Sequence, residues 1–291
     1  MRMEKIKNSN DAVVGIIVTV LLIGLILSVM VMVRTVYVPQ WIEEKEAAHM
    51  EEVSNQFAML KYALDIQSIV DQSTAISATI TLGNKEIPFF DLGRTFDTLS
   101  VIEDSCTITV KNNAVSISYS TDAIKYSSRN LYFVDQSYVY EAGSLILSQY
   151  PSSILYGKPS FFVTEFGKNL SFTFVNISGI AGRTSVSGYG NYQVYLMAIS
   201  PSNQYTEINN VTDIIITTNY ADAWYIALNS SLMQSISGFE YEGNGVSKVG
   251  YNITSASDRV TLEFIDSSGD YVNFFIKEVN ISAQMGFGLV E

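Results

Sequence analysis

The sequence predicts a mainly β protein. A long N-terminal transmembrane helix continues as a helical stalk and leads into an extracellular antiparallel β-sandwich domain with one short helix. Three observations carry that prediction. Residues 12–33 form an uncharged apolar run. Residues 41–71 carry an apolar residue every three or four positions. After residue 73 the period drops to two, the repeat of a strand with one buried face.

The apolar run reads AVVGIIVTVLLIGLILSVMVMV, 22 residues in which only Thr19 and Ser28 are polar. As a helix it reaches about 33 Å, against a hydrocarbon core of about 30 Å. A buried core helix is the alternative, but such helices rarely run this long without a charge. The run is too long for the apolar region of a secretory signal peptide, and no A-x-A-like cleavage site follows it. Arg2, Lys5 and Lys7 precede the run, and Arg34 alone sits just after it. The cationic flank keeps the short leader, residues 1–11, in the cytoplasm and places the C-terminal part outside the cell. A transmembrane helix over residues 12–38 then puts Tyr37 and Trp41 in an outer aromatic belt. The expectation is a single-pass protein of the cell membrane, with the lipid bilayer as its first partner.

A helical stalk is expected over residues 39–74. Pro39 has no N–H for the helical ladder and is expected to interrupt or kink the helix. Beyond it Met50, Val53, Phe57, Leu60 and Leu64 make one apolar stripe. Glu43, Glu44, Glu46, Glu51 and Glu52 crowd its start, where a helix favours acids. The stripe is short for an independent coiled coil, so packing on the chain's own β domain or on neighbouring copies is expected. His49, the only histidine, reads as a solvated helix residue among these glutamates.

Residues 75–291 read as the β domain. Residues 107–110 and 115–119 alternate cleanly around Asn112 and Asn113, which tolerate the positive φ of a tight hairpin turn. Further strands are expected at 131–140, 161–166, 170–177, 192–199, 211–218, 246–254, 260–265 and 271–279. A helix capped by Asp222 interrupts them, and residues 266–270 form a turn. One domain is expected, with two sub-sandwiches dividing near 150–158 as the alternative. Cys106 shares a face with Ile108 and Val110 and reads as a small core residue.

Composition narrows the function. The chain has 291 residues, 17 Lys+Arg against 29 Asp+Glu, a net charge of −12, one Cys and one His. The negative balance argues against broad nucleic-acid binding, which needs cations at phosphates. One Cys and one His exclude a disulfide framework and Cys- or His-rich metal sites. No phosphate-binding loop or dinucleotide fingerprint is present, so no nucleotide, metal or other cofactor is expected. The β region holds 31 charges in 217 residues and takes its polarity from Ser, Thr, Asn and Tyr instead. Six N-x-S/T sequons fall within it, at Asn169, Asn176, Asn210, Asn229, Asn252 and Asn280. All are candidate glycosylation sites on the expected outer side.

Catalytic candidates are few. The outer domain has no His for a Ser-His-Asp or Cys-His arrangement. The glycines near 179–182 and 187–190 read as turns or bulges. Asp266 and Asp270 with Gly269 read as a β-turn before a cation site. Tyr189, Tyr192, Tyr195 and Trp224 are candidates for stacking on sugars, against a plainer reading as core and cross-strand pairs.

Residues 9–17, SNDAVVGII, and the order of leader, apolar helix, helical extension and β domain resemble the type IV pilin-like proteins of archaea. Residues 130–136 (NLYFVDQ), 140–144 (YEAGS), 186–190 (VSGYG) and 221–224 (ADAW) are similar to a family of single-pass euryarchaeal surface proteins, especially from methanogens. The resemblance implies a cell-surface setting, assigns no activity, and implies copies of itself or other envelope or pilin-like proteins as partners. Asp11, not a basic residue, precedes Ala12, and the span has no Glu, so an unprocessed anchor is expected. The expected function is non-enzymatic: structural, envelope or adhesive. The alternatives are an anchored glycan- or ligand-binding module and an extracellular hydrolase using two carboxylates.

Overall fold

The computed structural model describes residues 2–69, 75–83, 95–164, 168–180, 184–200, 204–236, 250–265 and 272–286. It opens with a helical rod built from α1 (Arg2–Met32), one π-helical segment (Val33–Tyr37) and α2 (Val38–Ile69). Pro39 neither ends nor interrupts this rod. The proline ring crowds the carbonyl four residues back, and the wider π turn just ahead of it accommodates that conflict. There the N–H of Val38 bonds to the Val33 carbonyl, five residues back. Residues 13–32 are exposed at every position, with none of the described residues packed over them. Among the described residues this is the one helix long and apolar enough to cross a membrane, running from Val13 to Ile69.

The β region contains β1 (Ala75–Leu82), β2 (Asp97–Asn112), β3 (Ser116–Ser127), β4 (Ser137–Glu141), β5 (Ser144–Gln149) and β6 (Ser152–Gly157). It continues with β7 (Phe161–Thr164), β8 (Asn169–Gly179), β9 (Ser185–Gly188), β10 (Gly190–Ser200) and β11 (Thr206–Thr218). Helix α3 (Ala221–Ile236) precedes β12 (Gly250–Ser255), β13 (Arg259–Ile265) and β14 (Val272–Gly286). The described strands form one hydrogen-bonded sheet. It is mixed, which corrects the expected antiparallel sheet: β8 and β14 run parallel from Asn169↔Asn273 to Gly179↔Ala283. Pairing also closes a ring, β14 to β11 to β2 to β3 to β8 and back to β14, through the single β3–β8 bridge Asp122↔Ile177.

Two hydrophobic clusters share these long strands. In β8, Leu170, Phe172 and Phe174 enter one cluster, while Val175 and Ile177 enter the other. In β14, Val272, Phe274 and Ile276 enter the first, and Val279, Ile281, Ala283 and Met285 the second. Successive strand residues face opposite ways, so each strand buries one face in its first half and the other face in its second. Helix α3 supplies Trp224, Ala227, Leu228 and Leu232 to the first cluster. Helix α2 supplies its whole predicted stripe, Met50, Val53, Phe57, Leu60 and Leu64, to the second. The stripe thus packs on the chain's own domain. Fully burying side chains of this size is worth about 1.5–3 kcal/mol each, enough to lock helix to sheet.

Other expectations change in detail. Strand β4 begins at Ser137, so residues 131–136 of the expected 131–140 strand form a loop. The β2–β3 hairpin forms where predicted, but neither Asn112 nor Asn113 has positive φ. Instead the Asn112 side-chain oxygen accepts the N–H groups of Ala114 and Val115, an Asx-type turn. Helix α3 starts at Ala221, which puts Asp222 in its first turn and not at the cap. Residues 246–249 of the expected 246–254 strand, the turn at residues 266–270 with Asp266, Gly269 and Asp270, and residues 181–183 lie outside the described residues.

Candidate functional site

The face of α2 that packs on the sheet carries polar side chains as well as the stripe. Glu46, His49, Ser54, Gln67 and Ser68 are all buried. Glu46 and His49 each lie four residues before a stripe position, Met50 and Val53, so helical geometry turns them inward. This corrects the expectation for His49, which is 6% exposed.

His49 meets the first residue of β2. Its Nε2 lies 3.1 Å from Oδ2 of Asp97 and 3.2 Å from the Tyr126 hydroxyl. The tautomer with a proton on Nε2 donates to the carboxylate. Tyr126 donates to the same oxygen. The N–H of Gly83 donates to it at 2.7 Å, and the N–H of Arg129 donates to Oδ1 at 3.0 Å. Burial pushes the Asp97 carboxyl up, but the four hydrogen bonds to its ionised form outweigh this and hold it below its ordinary 3.8. Burial and the Asp97 charge push the Tyr126 phenol upward. Gly83 has φ +64, and a Cβ there would collide with the Thr95 carbonyl oxygen, so glycine lets this N–H reach the carboxylate.

A cleft of about 620 Å³ opens beside this cluster, lined by Lys45, Ala48, His49, Glu52, Thr81, Gly83, Gly190 and Asn191. Within it the Thr81 hydroxyl lies 3.1 Å from Glu52 Oε1 and 3.0 Å from Asn191 Oδ1, and Gln56 of α2 reaches the same threonine. Gln56 accepts the Thr81 N–H at 2.7 Å and donates to the Thr81 hydroxyl at 2.8 Å. In this way α2 takes up one backbone donor of β1, a strand at an end of the sheet order.

Two further carboxylates are buried. Glu46 accepts the backbone N–H groups of Leu131, Tyr132 and Phe133 at 2.7, 2.9 and 2.7 Å. Glu141 lies in the tight β4–β5 hairpin, whose turn residues Ala142 and Gly143 have φ of 46° and 87°. It accepts Ser105 Oγ at 2.8 Å, Thr218 Oγ1 at 2.6 Å and Trp224 Nε1 at 2.7 Å. Burial dominates here and raises the Glu141 carboxyl above its ordinary 4.5. Each carboxylate thus ties two or more elements together: α2 to β2 and β3, α2 to the 131–133 loop, and the β4–β5 hairpin to β2, β11 and α3. The first and third sit in separate clusters, since Tyr126 belongs to one and Trp224 to the other. Among the described residues no group of three His, Cys, Asp or Glu is placed to hold a metal ion.

The stacking candidates do not come together. Trp224 is buried in the first cluster and Tyr192 in the second. Tyr195 is half-buried, and Tyr189 is exposed against Phe96 with ring centroids 6.2 Å apart. Trp224 and Tyr192 thus pack in the cores, as the plainer reading has it, and Tyr189 forms an exposed aromatic pair with Phe96. The sequon residues Asn210 and Asn252 are exposed, while Asn169, Asn176, Asn229 and Asn280 are half-buried. Asn176 is engaged across the β8–β14 ladder, donating to Glu278 at 3.1 Å and to Asn280 at 2.8 Å.

Sequence reasoning misses Asp97, Glu46 and Glu141 as organising residues. For Glu46 the available signal is its helical phase, four residues before Met50. For the others no local pattern exists, because their donors come from strands far apart in sequence. The chain matches no family model, no characterised protein and no solved structure.

Proposed function

We propose that this chain is a membrane-anchored, non-enzymatic cell-surface protein, pilin-like in layout, whose extracellular β domain has a structural, envelope or adhesive role. The observation that carries the reading is the two-part helix. Residues 13–32 are bare and apolar, while the continuation from Val38 is locked into the β domain by its apolar stripe and by Glu46 and His49. A span joined without a flexible linker to a folded domain holds that domain at a fixed place above the bilayer. The buried carboxylates support a structural role, because each is satisfied by donors of the chain itself. The cationic leader supports an N-terminus in the cytoplasm. Exposed Asn210 and Asn252 are the best-placed glycan acceptors.

Cells expressing the full chain provide the test. The chain is expected to stay with membranes through an alkaline carbonate wash and to lose its β domain to protease added outside intact cells. Recovery in the soluble fraction, or protection from external protease, overturns the reading. Sheared surface filaments from the same cells decide between an isolated anchor, which leaves them free of the chain, and a polymerised one.

A further inference from the structure

We propose that the loop at residues 130–136 makes a second contact with the bilayer, dipping Leu131, Tyr132 and Val134 into the interfacial layer beside the helical span. The proposal rests on the membrane-anchored reading and adds a docking surface to it. Three observations place the loop there. Its backbone is pinned to α2 by three N–H groups on the Glu46 carboxylate. Side chains on a helix lean toward its N-terminus, so this carboxylate hangs over the turn below Glu46, on the side of the span. Glu46 itself is only five residues, about 7.5 Å of helix, above Trp41. Trp41 and Tyr37 lie just past the apolar run with ring centroids 6.2 Å apart, where an aromatic belt meets the headgroups.

The loop also presents the right chemistry. Leu131, Tyr132 and Val134 are 58%, 52% and 59% exposed, although they belong to a segment whose backbone is firmly held. Glu46, Asp135 and Ser128 take up backbone donors of this loop, leaving its apolar side chains outward. A large aromatic and two aliphatic residues next to a bilayer surface gain more by entering the interface than by facing water. A loop inserted at one side of the span fixes both the tilt and the rotation of the domain over the membrane.

The test uses the full chain carrying Cys106→Ala, which removes the buried native thiol, in phosphatidylcholine–phosphatidylglycerol vesicles. Single cysteines at Tyr132→Cys, Val134→Cys, Val115→Cys and Leu22→Cys carry an environment-sensitive fluorophore. Nitroxides attached to lipid headgroups are expected to quench positions 132 and 134 at least twofold more than position 115, at the exposed β2–β3 turn. Equal quenching at 132, 134 and 115 overturns the proposal. Protection of 132 and 134 from aqueous iodide without quenching by lipid nitroxide also overturns it, since that marks a contact between copies. Position 22 separates the two levels of the account: quenching there by a nitroxide on the acyl chain shows that the span is inserted, whatever the loop does.

Discussion

The indole N–H of Trp224 donates to Oε1 of Glu141 at 2.7 Å, joining the first turn of α3 to the tip of the β4–β5 hairpin inside a hydrophobic cluster. The two residues are 83 positions apart. They lie in the short segments 140–144 and 221–224. The contact gives those segments a shared physical role, since together they close one core.

Removing this acceptor is costly. Glu141→Ala leaves the Trp224 N–H, the Ser105 hydroxyl and the Thr218 hydroxyl without their partner in a dry site, and about 3 kcal/mol of stability is expected to be lost. Glu141→Gln keeps an oxygen for Trp224 and Thr218 and lets the Ser105 oxygen accept. Urea unfolding of both variants checks the contrast.

The pH dependence follows from two carboxyls shifted in opposite directions. Asp97 titrates below its ordinary 3.8, so its contribution is present at higher pH and is lost as pH falls through its lowered value. Glu141 titrates above its ordinary 4.5, so the fold favours its protonated form, and that contribution is lost as pH rises through the raised value. Wild-type stability is therefore expected to fall at both ends of a mildly acidic window. Glu141→Gln should remove the loss on the high-pH side and leave the acid limb, while Asp97→Asn should flatten the acid limb. Thermal melts of the three proteins from about pH 3 to about pH 8 read both effects.

Glu46→Ala tests the loop clamp. The loop is at the surface, so water takes over part of the lost bonding, and a global cost of about 2 kcal/mol is expected. The local effect is sharper: amide hydrogen exchange at Leu131, Tyr132 and Phe133 should accelerate well beyond the change at β2 and β3.

Phe57 is fully buried in the second cluster and stacks on Tyr138, with ring centroids 5.8 Å apart. Phe57→Ala is expected to cost about 3–5 kcal/mol through lost transfer energy and the cavity left behind. Met59→Ala, two residues away on the outer face, should change stability little. Equal effects in denaturant unfolding would deny that α2 is packed as one stripe.

How much of this is legible in the sequence depends on how local each cause is. The long apolar helix, the α2 stripe, the 107–119 hairpin and the α3 position each follow from neighbouring residues, and all appear. The loop at 131–136 imitates a strand because Leu131, Tyr132, Phe133 and Val134 form the short apolar run of a buried strand, whereas Glu46, 85 residues upstream, takes up the backbone donors that a strand would need. The parallel pairing of β8 with β14 has no local signal either, since both strands read simply as half-buried. His49 reads as solvated from its acidic neighbours, but its helical phase is the stronger cause and buries it. Trp224 and Tyr192 look alike as stacking aromatics in sequence, and only the fold assigns them to different cores.

The proposed anchoring puts one helix in lipid at one end and in water against the β domain at the other. Leu21 and Met59 test this directly, because both are 67% exposed on that helix. Spin labels placed singly at the two positions of the vesicle-reconstituted chain can be challenged with oxygen, which concentrates in lipid, and with a water-soluble nickel chelate. The account predicts that position 21 relaxes strongly with oxygen and hardly with nickel, and that position 59 does the reverse. A nickel response of equal size at both positions would contradict it.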